Sequence, residues 1–212
     1  MKTILIVGAS GQGKVAFDII RCLKGKYKPV GWLDDNPEFQ GKKICGLPVL
    51  GGTADLKSMK AKARTVVIGI GNNEIRARLF NEARAAGYEL PSLIHPSAVI
   101  APDVEIGPGA QISPGVVIVI GTRLAEDVIV NTSASIDHEC RVGAHAYIAP
   151  GARVAGNVDV GAGVWVGINS CILQGLKIGD RAVIGAGAAI LRDVEPKAVM
   201  VGVPGKLLRY QK

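Results

Sequence analysis

From Ile94 to Ile190 every sixth residue is Ile, Leu or Val, without a break. Two positions before most of them stands a small or β-branched residue, as at Ala98, Val104, Ala110, Val116, Ala134, Cys140 and Ala152, with Leu176 the large exception. A helix repeats at 3.6 residues and a plain strand at two, so neither accounts for a period of six. Two inward side chains separated by one outward side chain make a short strand, and the remaining residues of each repeat make a turn. Three such strands close a triangular coil. Stacked coils pair each strand with its copies above and below and align the aliphatic residues in dry columns. Each buried Ile or Val then contributes roughly 1.5–3 kcal/mol before chain entropy is subtracted.

Composition agrees with such a core. Of 212 residues 28 are Gly, aromatic residues make up only 4%, and hydrophobic residues 48%, so the interior must be built from small and aliphatic side chains packed near backbone. The net charge of +7 points to an anionic partner. No Lys/Arg-rich run and no basic stretch interleaved with aromatics is present, which favours a phosphorylated small molecule over nucleic acid. Cys22, Cys45, Cys140 and Cys171 show no C-x-x-C spacing, as expected of a reducing compartment with neither zinc nor disulfides. The apolar run after Lys2 is short and leads into glycines, so it reads as a first strand rather than a signal peptide. The expected location is the cytoplasm, without membrane insertion.

Residues 1–90 follow another grammar. Apolar runs at Ile4–Val7, Val30–Leu33 and Val66–Ile70 alternate with helical periodicity over Gly13–Leu23 and Asn73–Ala86, which predicts a small α/β, Rossmann-like domain with a parallel sheet. The first strand is followed by Gly8-Ala9-Ser10-Gly11-Gln12-Gly13, where missing side chains let backbone N–H groups and a helix N-terminus face a phosphate. The second strand ends in Leu33-Asp34-Asp35. An acid there is where a dinucleotide fold binds ribose, and equally where an Asp ends a strand and caps a turn.

The repeat resembles that of the hexapeptide acyltransferases. Gly8–Gly13, Leu33-Asp34-Asp35, Gly69–Arg76 and Ile94-His95-Pro96-Ser97-Ala98 together resemble the sialic acid O-acetyltransferase and bacillosamine N-acetyltransferase family. The resemblance implies a left-handed parallel β-helix over 91–195, a C-terminal tail over 196–212, a homotrimer, and acetyl-CoA as co-substrate. It further implies that the 1–90 domain holds a nucleotide sugar through Gly11, Gln12, Gly13, Asp34, Asp35 and Gly71. Many relatives have His where this chain has Gln12.

Between Asn131 and Cys140 the plain repeat gives way to Asn-Thr-Ser-Ala-Ser-Ile-Asp-His-Glu-Cys. Moving acetyl from a thioester to an amine needs a base, and His titrates near neutrality. A carboxylate beside the ring would fix its tautomer, Glu139 being the first candidate and Asp137 the second. Neighbours on a straight strand point to opposite faces, so a bond from Glu139 to His138 requires a bend. The stretch resembles the bacillosamine-type N-acetyltransferases, in which the matching His and Glu are the catalytic base and its partner. By the same resemblance Tyr147, Ile168 and Ala186 are expected to contact acetyl-CoA. Tyr147 stands where relatives have His. Lys206 and Arg209 either meet the CoA phosphates or form a solvated basic tail. His95 and His145 read as structural, and the spacing of the three histidines does not match a zinc site, so no metal is expected.

The expected activity is N-acetylation of a UDP-linked 4-amino-4,6-dideoxy sugar in glycan biosynthesis. O-acetylation of a sialic acid is the first alternative, and a non-catalytic NAD-binding or scaffold protein the second.

Overall fold

The computed structural model describes residues 1–211; Lys212, the end of the expected tail, lies outside the described residues. The chain divides into two compact units, Met1–Pro96 and Ser97–Lys212.

The first unit runs β1 (Lys2–Val7), α1 (Gly11–Cys22), β2 (Tyr27–Leu33), β3 (Lys43–Ile44), β4 (Leu47–Gly51), β5 (Thr65–Ile68) and α2 (Asn73–Ala85). The sheet order is β3-β4-β2-β1-β5. β1 lies parallel to β2 and β5, and β3 and β4 form an antiparallel pair. The alternation of β1 decides its two layers. Ile4 and Ile6 pack with Ala16, Ile19, Ile20 and Trp32, whereas Leu5 and Val7 pack with Val66, Leu79, Phe80 and Ala83. Leu93 is fully buried in the first of these clusters.

In the second unit, two-residue strands recur every six residues from Val99–Ile100 to Ala189–Ile190. Each pairs in parallel with the strand 18 positions away, as in Ile118↔Ile136 and Val130↔Ile148. The result is a left-handed parallel β-helix. Its dry interior contains Ile112, Ile136, Ile148 and Ile184, with Ala134, Cys140 and Ala146 between them. The corners are tight. Glycines at 109, 115 and 121 have positive φ, and in later coils the same positions hold Asp127, Ser133, Glu139, His145 and Asn157 at φ of 55–61°. A side chain held there costs roughly 1–2 kcal/mol, and the repeated hydrogen bonds of the coil hold it in place.

The outward residues give the prism three unlike faces. One, termed the apolar face, carries Val99, Val117, Ser135, Arg153 and Cys171, and the next, the charged face, carries Glu105, Arg123, Arg141, Asp159 and Lys177 with ion pairs Arg123–Glu105 at 3.2 Å and Arg141–Asp159 at 3.5 Å. The third holds Gln111, Ile129, Tyr147 and Trp165. The C-terminal segment is built structure. Ala198–Val201 continues the third sheet beside Val183–Ile184, and Lys206–Tyr210 returns antiparallel to it with every residue exposed.

Candidate active site

In the first unit the glycine loops gather at the C-terminal ends of β1, β2 and β5, the edge at which an open α/β sheet receives ligands. α1 starts at Gly11, and its N-cap Ser10 makes no side-chain cap bond and has no acid in the turn that follows. The positive end of the helix is therefore left to an anion. Asp34 ties the loops together: its Oδ2 accepts the Ala9 N–H at 2.7 Å and its Oδ1 the Asn36 N–H at 2.8 Å. Asp35 accepts from the Thr53 N–H at 2.6 Å and the Thr53 hydroxyl at 2.8 Å. Both acids thus tie one loop of this edge to another. Gln12 is buried at the start of α1, while a side chain at Gly71 would meet open space.

One residue of this edge is not marked by its type. Arg76 is fully buried on α2, and its Nη1 donates to the Ile70 and Gly71 carbonyls at 3.3 and 3.2 Å and to Asn73 Oδ1 at 3.0 Å. It draws the carbonyls of the loop after β5 inward. Asn72 caps α2 by accepting the Ile75 N–H at 2.9 Å.

On the coil, His138 and Glu139 occupy the corner between the apolar and the charged face. Glu139 adopts φ of 58°, and this left-handed turn supplies the bend that adjacent residues need. His138 Nδ1 lies 3.3 Å from Glu139 Oε2, and the two side chains are 46% and 65% exposed, open to a substrate. Asp137 is engaged otherwise, its Oδ1 accepting the backbone N–H of His138 at 2.8 Å. In the tautomer that carries its proton on Nδ1, toward Glu139, Nε2 is the nitrogen left to accept a proton. Cys140, the remaining nucleophile of the cluster, points into the coil. Its thiol donates to the Ala155 carbonyl at 3.1 Å, and burial pushes its pKa above the usual thiol value, which leaves it a poor nucleophile.

Tyr147 is placed on the third face, stacked on Trp165 with centroids 4.2 Å apart and planes 4° from parallel. Its hydroxyl accepts from Asn131 Nδ2 at 2.7 Å, and Asn131 Oδ1 accepts the Thr132 N–H at 2.8 Å. Ile168 and Ala186 stack 18 residues apart at the corner between the third and the apolar face, both exposed. Within one chain the apolar face therefore separates Ile168 and Ala186 from His138. Along it runs a groove of about 470 Å³ lined by Asp137, Arg153, Ala155, Cys171, Leu173 and Leu191, among others. His145 Nδ1 lies 2.8 Å from the buried carboxylate of Asp127 at the third corner. No group of three or more His, Cys, Asp or Glu among the described residues is placed to hold a metal ion, and no helix among them is long and apolar enough to cross a membrane.

Residues 3–83 match the PglD N-terminal domain, residues 92–119 and 157–192 the bacterial transferase hexapeptide (six repeats), and residues 133–167 the hexapeptide repeat of succinyl-transferase. Among solved structures, the acetyltransferase domain of PglB from Neisseria gonorrhoeae is similar at 35% identity over 98% of this chain and 100% of that one, with a TM-score of 0.93. That domain is also known in complex with acetyl coenzyme A. PerB from Caulobacter crescentus, in complex with CoA and GDP-perosamine, is similar at 31% identity over 98% of this chain and 97% of that one, with a TM-score of 0.91. WeeI from Acinetobacter baumannii matches at 27% identity over 98% of this chain and 100% of that one, with a TM-score of 0.88.

Proposed function

The chain belongs to the sialic acid O-acetyltransferase and bacillosamine N-acetyltransferase family of hexapeptide-repeat acyltransferases, and from that premise we propose that it acetylates the amine of a UDP-linked 4-amino-4,6-dideoxy sugar. It is an acetyl-CoA-dependent acetyltransferase. The observation that carries the rest is the exposed His138–Glu139 pair, with Nδ1 and Oε2 3.3 Å apart at a coil corner. The sugar amine attacks the thioester carbonyl, and His138 Nε2 takes the proton that the nitrogen sheds as the C–N bond forms. Glu139 stabilises the imidazolium that results. A backbone N–H bonds the oxyanion of the tetrahedral intermediate. Collapse of that intermediate breaks the C–S bond, and the thiolate leaves as CoA. No covalent enzyme intermediate is required, in keeping with the inward orientation of Cys140.

The nucleotide belongs at the edge formed by Gly11, Gln12, Gly13, Asp34, Asp35 and Gly71, with its phosphates at the N-terminus of α1. Acetyl-CoA belongs along the edge between the third and the apolar face, against Ile168 and Ala186, with Tyr147 beside them on the third face. This edge and His138 lie on opposite sides of the apolar face of one coil, so the site is completed when a second copy brings its own His138 corner to that edge. The charged face is suited to water, and the apolar face, with Val99, Leu173 and Leu191 more than half exposed, is suited to a subunit contact. The family resemblance sets the number of copies at three, joined in a closed ring through these faces. Sedimentation equilibrium is expected to give about three times 22.0 kDa, and a monomer mass at micromolar concentration would refute the shared site.

Release of CoA from acetyl-CoA, followed with a thiol reagent across UDP-, GDP- and dTDP-linked 4-amino sugars and CMP-sialic acid, tests the assignment. Turnover with a UDP-amino sugar, yielding a product resistant to mild hydroxylamine, is expected. Turnover with sialic acid alone, giving a hydroxylamine-labile ester, would move the assignment to O-acetylation. NAD binding without thiol release would remove the enzyme reading.

A further inference from the structure

We infer that Gly156 is a positioning residue for His138, present as glycine so that the imidazole can lie against the backbone of the next coil. Gly156 stands 18 residues after His138 and so directly above it in the stack, where the Asn157 N–H donates to the His138 carbonyl at 2.8 Å. A Cβ at 156 would come 2.8 Å from Cδ2 of the His138 ring, and closer still to Cε1 and Nε2. The ring therefore occupies the space that any other residue would fill.

Backbone conformation does not account for this glycine. Gly109, Gly115, Gly121, Gly151, Gly163, Gly175 and Gly187 all have positive φ, as their corner positions require, and Gly156 does not. It belongs to a different phase of the repeat. Through every sixth residue from Pro102 to Arg192 that phase reads Pro, Pro, Pro, Ile, Glu, Thr, His, Ala, Pro, Gly, Ala, Ile, Gln, Asp, Ala and Arg. Residue 156 is the single glycine among them. The one position where the phase has lost its side chain is thus the one seated over the ring.

A second glycine supports the partner from below. Gly121 lies 18 residues before Glu139, and a Cβ there would come 3.1 Å from Glu139 Cγ. The pair is set between two coils that leave room for it. Because Gly156 meets a mobile ring rather than backbone, a methyl group at 156 turns the imidazole away instead of unfolding the coil. The ring then loses Glu139 and the direction of Nε2.

The inference rests on the reading of His138 as the base, and its test separates the two. Gly156→Ala is expected to lower kcat about 100-fold, the scale of an ångström-sized misplacement. The acetyl-CoA KM should stay within about twofold and the melting temperature within about 2 °C. In heteronuclear NMR spectra the His138 imidazole resonances should move toward those of a ring free of Glu139. In a His138→Ala background the same substitution should cause no further loss, because a residue acting through the ring has nothing left to act on. Unmoved imidazole resonances would overturn the inference, as would an equal loss of the residual activity in the His138→Ala background. Full activity of His138→Ala would remove the base assignment, and the resonances of Gly156→Ala would still decide whether the ring is seated there.

Discussion

Alanine at position 138 is expected to lower kcat at least ~100-fold, the usual scale for a lost general base, while the melting temperature hardly changes. The two halves of that expectation have separate causes. The His138 side chain is 46% exposed, so its removal opens no buried cavity, and the coil below keeps Ile136 and Cys140 in place. The chemistry has no substitute nearby. Asp137 is committed to a backbone N–H, Cys140 faces inward, and Glu139, an acceptor 65% exposed to solvent, lacks the reach of the ring that stood between it and the amine. Steady-state kinetics with saturating acetyl-CoA and amino sugar, alongside a thermal melt, checks both. Retained turnover would show that the amine arrives already deprotonated and that the pair only binds. A large drop in melting temperature would instead make the pair structural.

The coil could be read from the sequence because its physics is one-dimensional. Once Ile94, Ile100 and Ile106 set the period, each later aliphatic residue repeats the same test, and the registers Ile118↔Ile136 and Val130↔Ile148 follow from three strands per turn. The need for a bend at His138 and Glu139 was also visible, since neighbours on a strand cannot meet. What supplies it, φ of 58° at Glu139, was not, because glutamate carries no preference for that conformation. The stacking of Tyr147 on Trp165 uses the same 18-residue step, but on the outer surface, where residue types do not repeat from coil to coil and only the ring geometry shows the contact. Beyond Asp34 and Asp35, the stretch up to residue 64 shows no element in its sequence. It holds a two-residue strand, a short antiparallel partner and two 3-10 helices, Pro37–Phe39 and Thr53–Ala61, elements too short to show a period. Arg76 falls within the Gly69–Arg76 motif, but a buried guanidinium and an exposed one look alike in sequence. Its role appears only with the carbonyls of Ile70 and Gly71 around it.

Alanine at position 13 is expected to disable the other half of the enzyme. Gly13 sits in α1 where a Cβ would come 2.7 Å from the Gly8 carbonyl carbon and nearer still to its oxygen, with Trp32 Cζ3 behind it at 3.4 Å. Gly69, at the end of the neighbouring strand, is packed in turn on Gly13, its own hypothetical Cβ falling 2.5 Å from the Gly13 Cα. Three loop glycines thus meet backbone to backbone, and none of these atoms can swing aside as a ring can. Relief requires α1 to move off the sheet, away from Ile4, Ile6 and Trp32, which it covers. Overpacking of this kind costs at least about 3 kcal/mol, the upper part of the usual range, because backbone must shift. The loop that shifts is the one proposed to hold the nucleotide phosphates. Gly13→Ala should therefore abolish binding of the nucleotide sugar in calorimetry, while the coil retains its affinity for acetyl-CoA. If the variant bound both substrates normally, the glycine loop would be a packing device of the sheet, and the nucleotide would have to be sought elsewhere on the molecule.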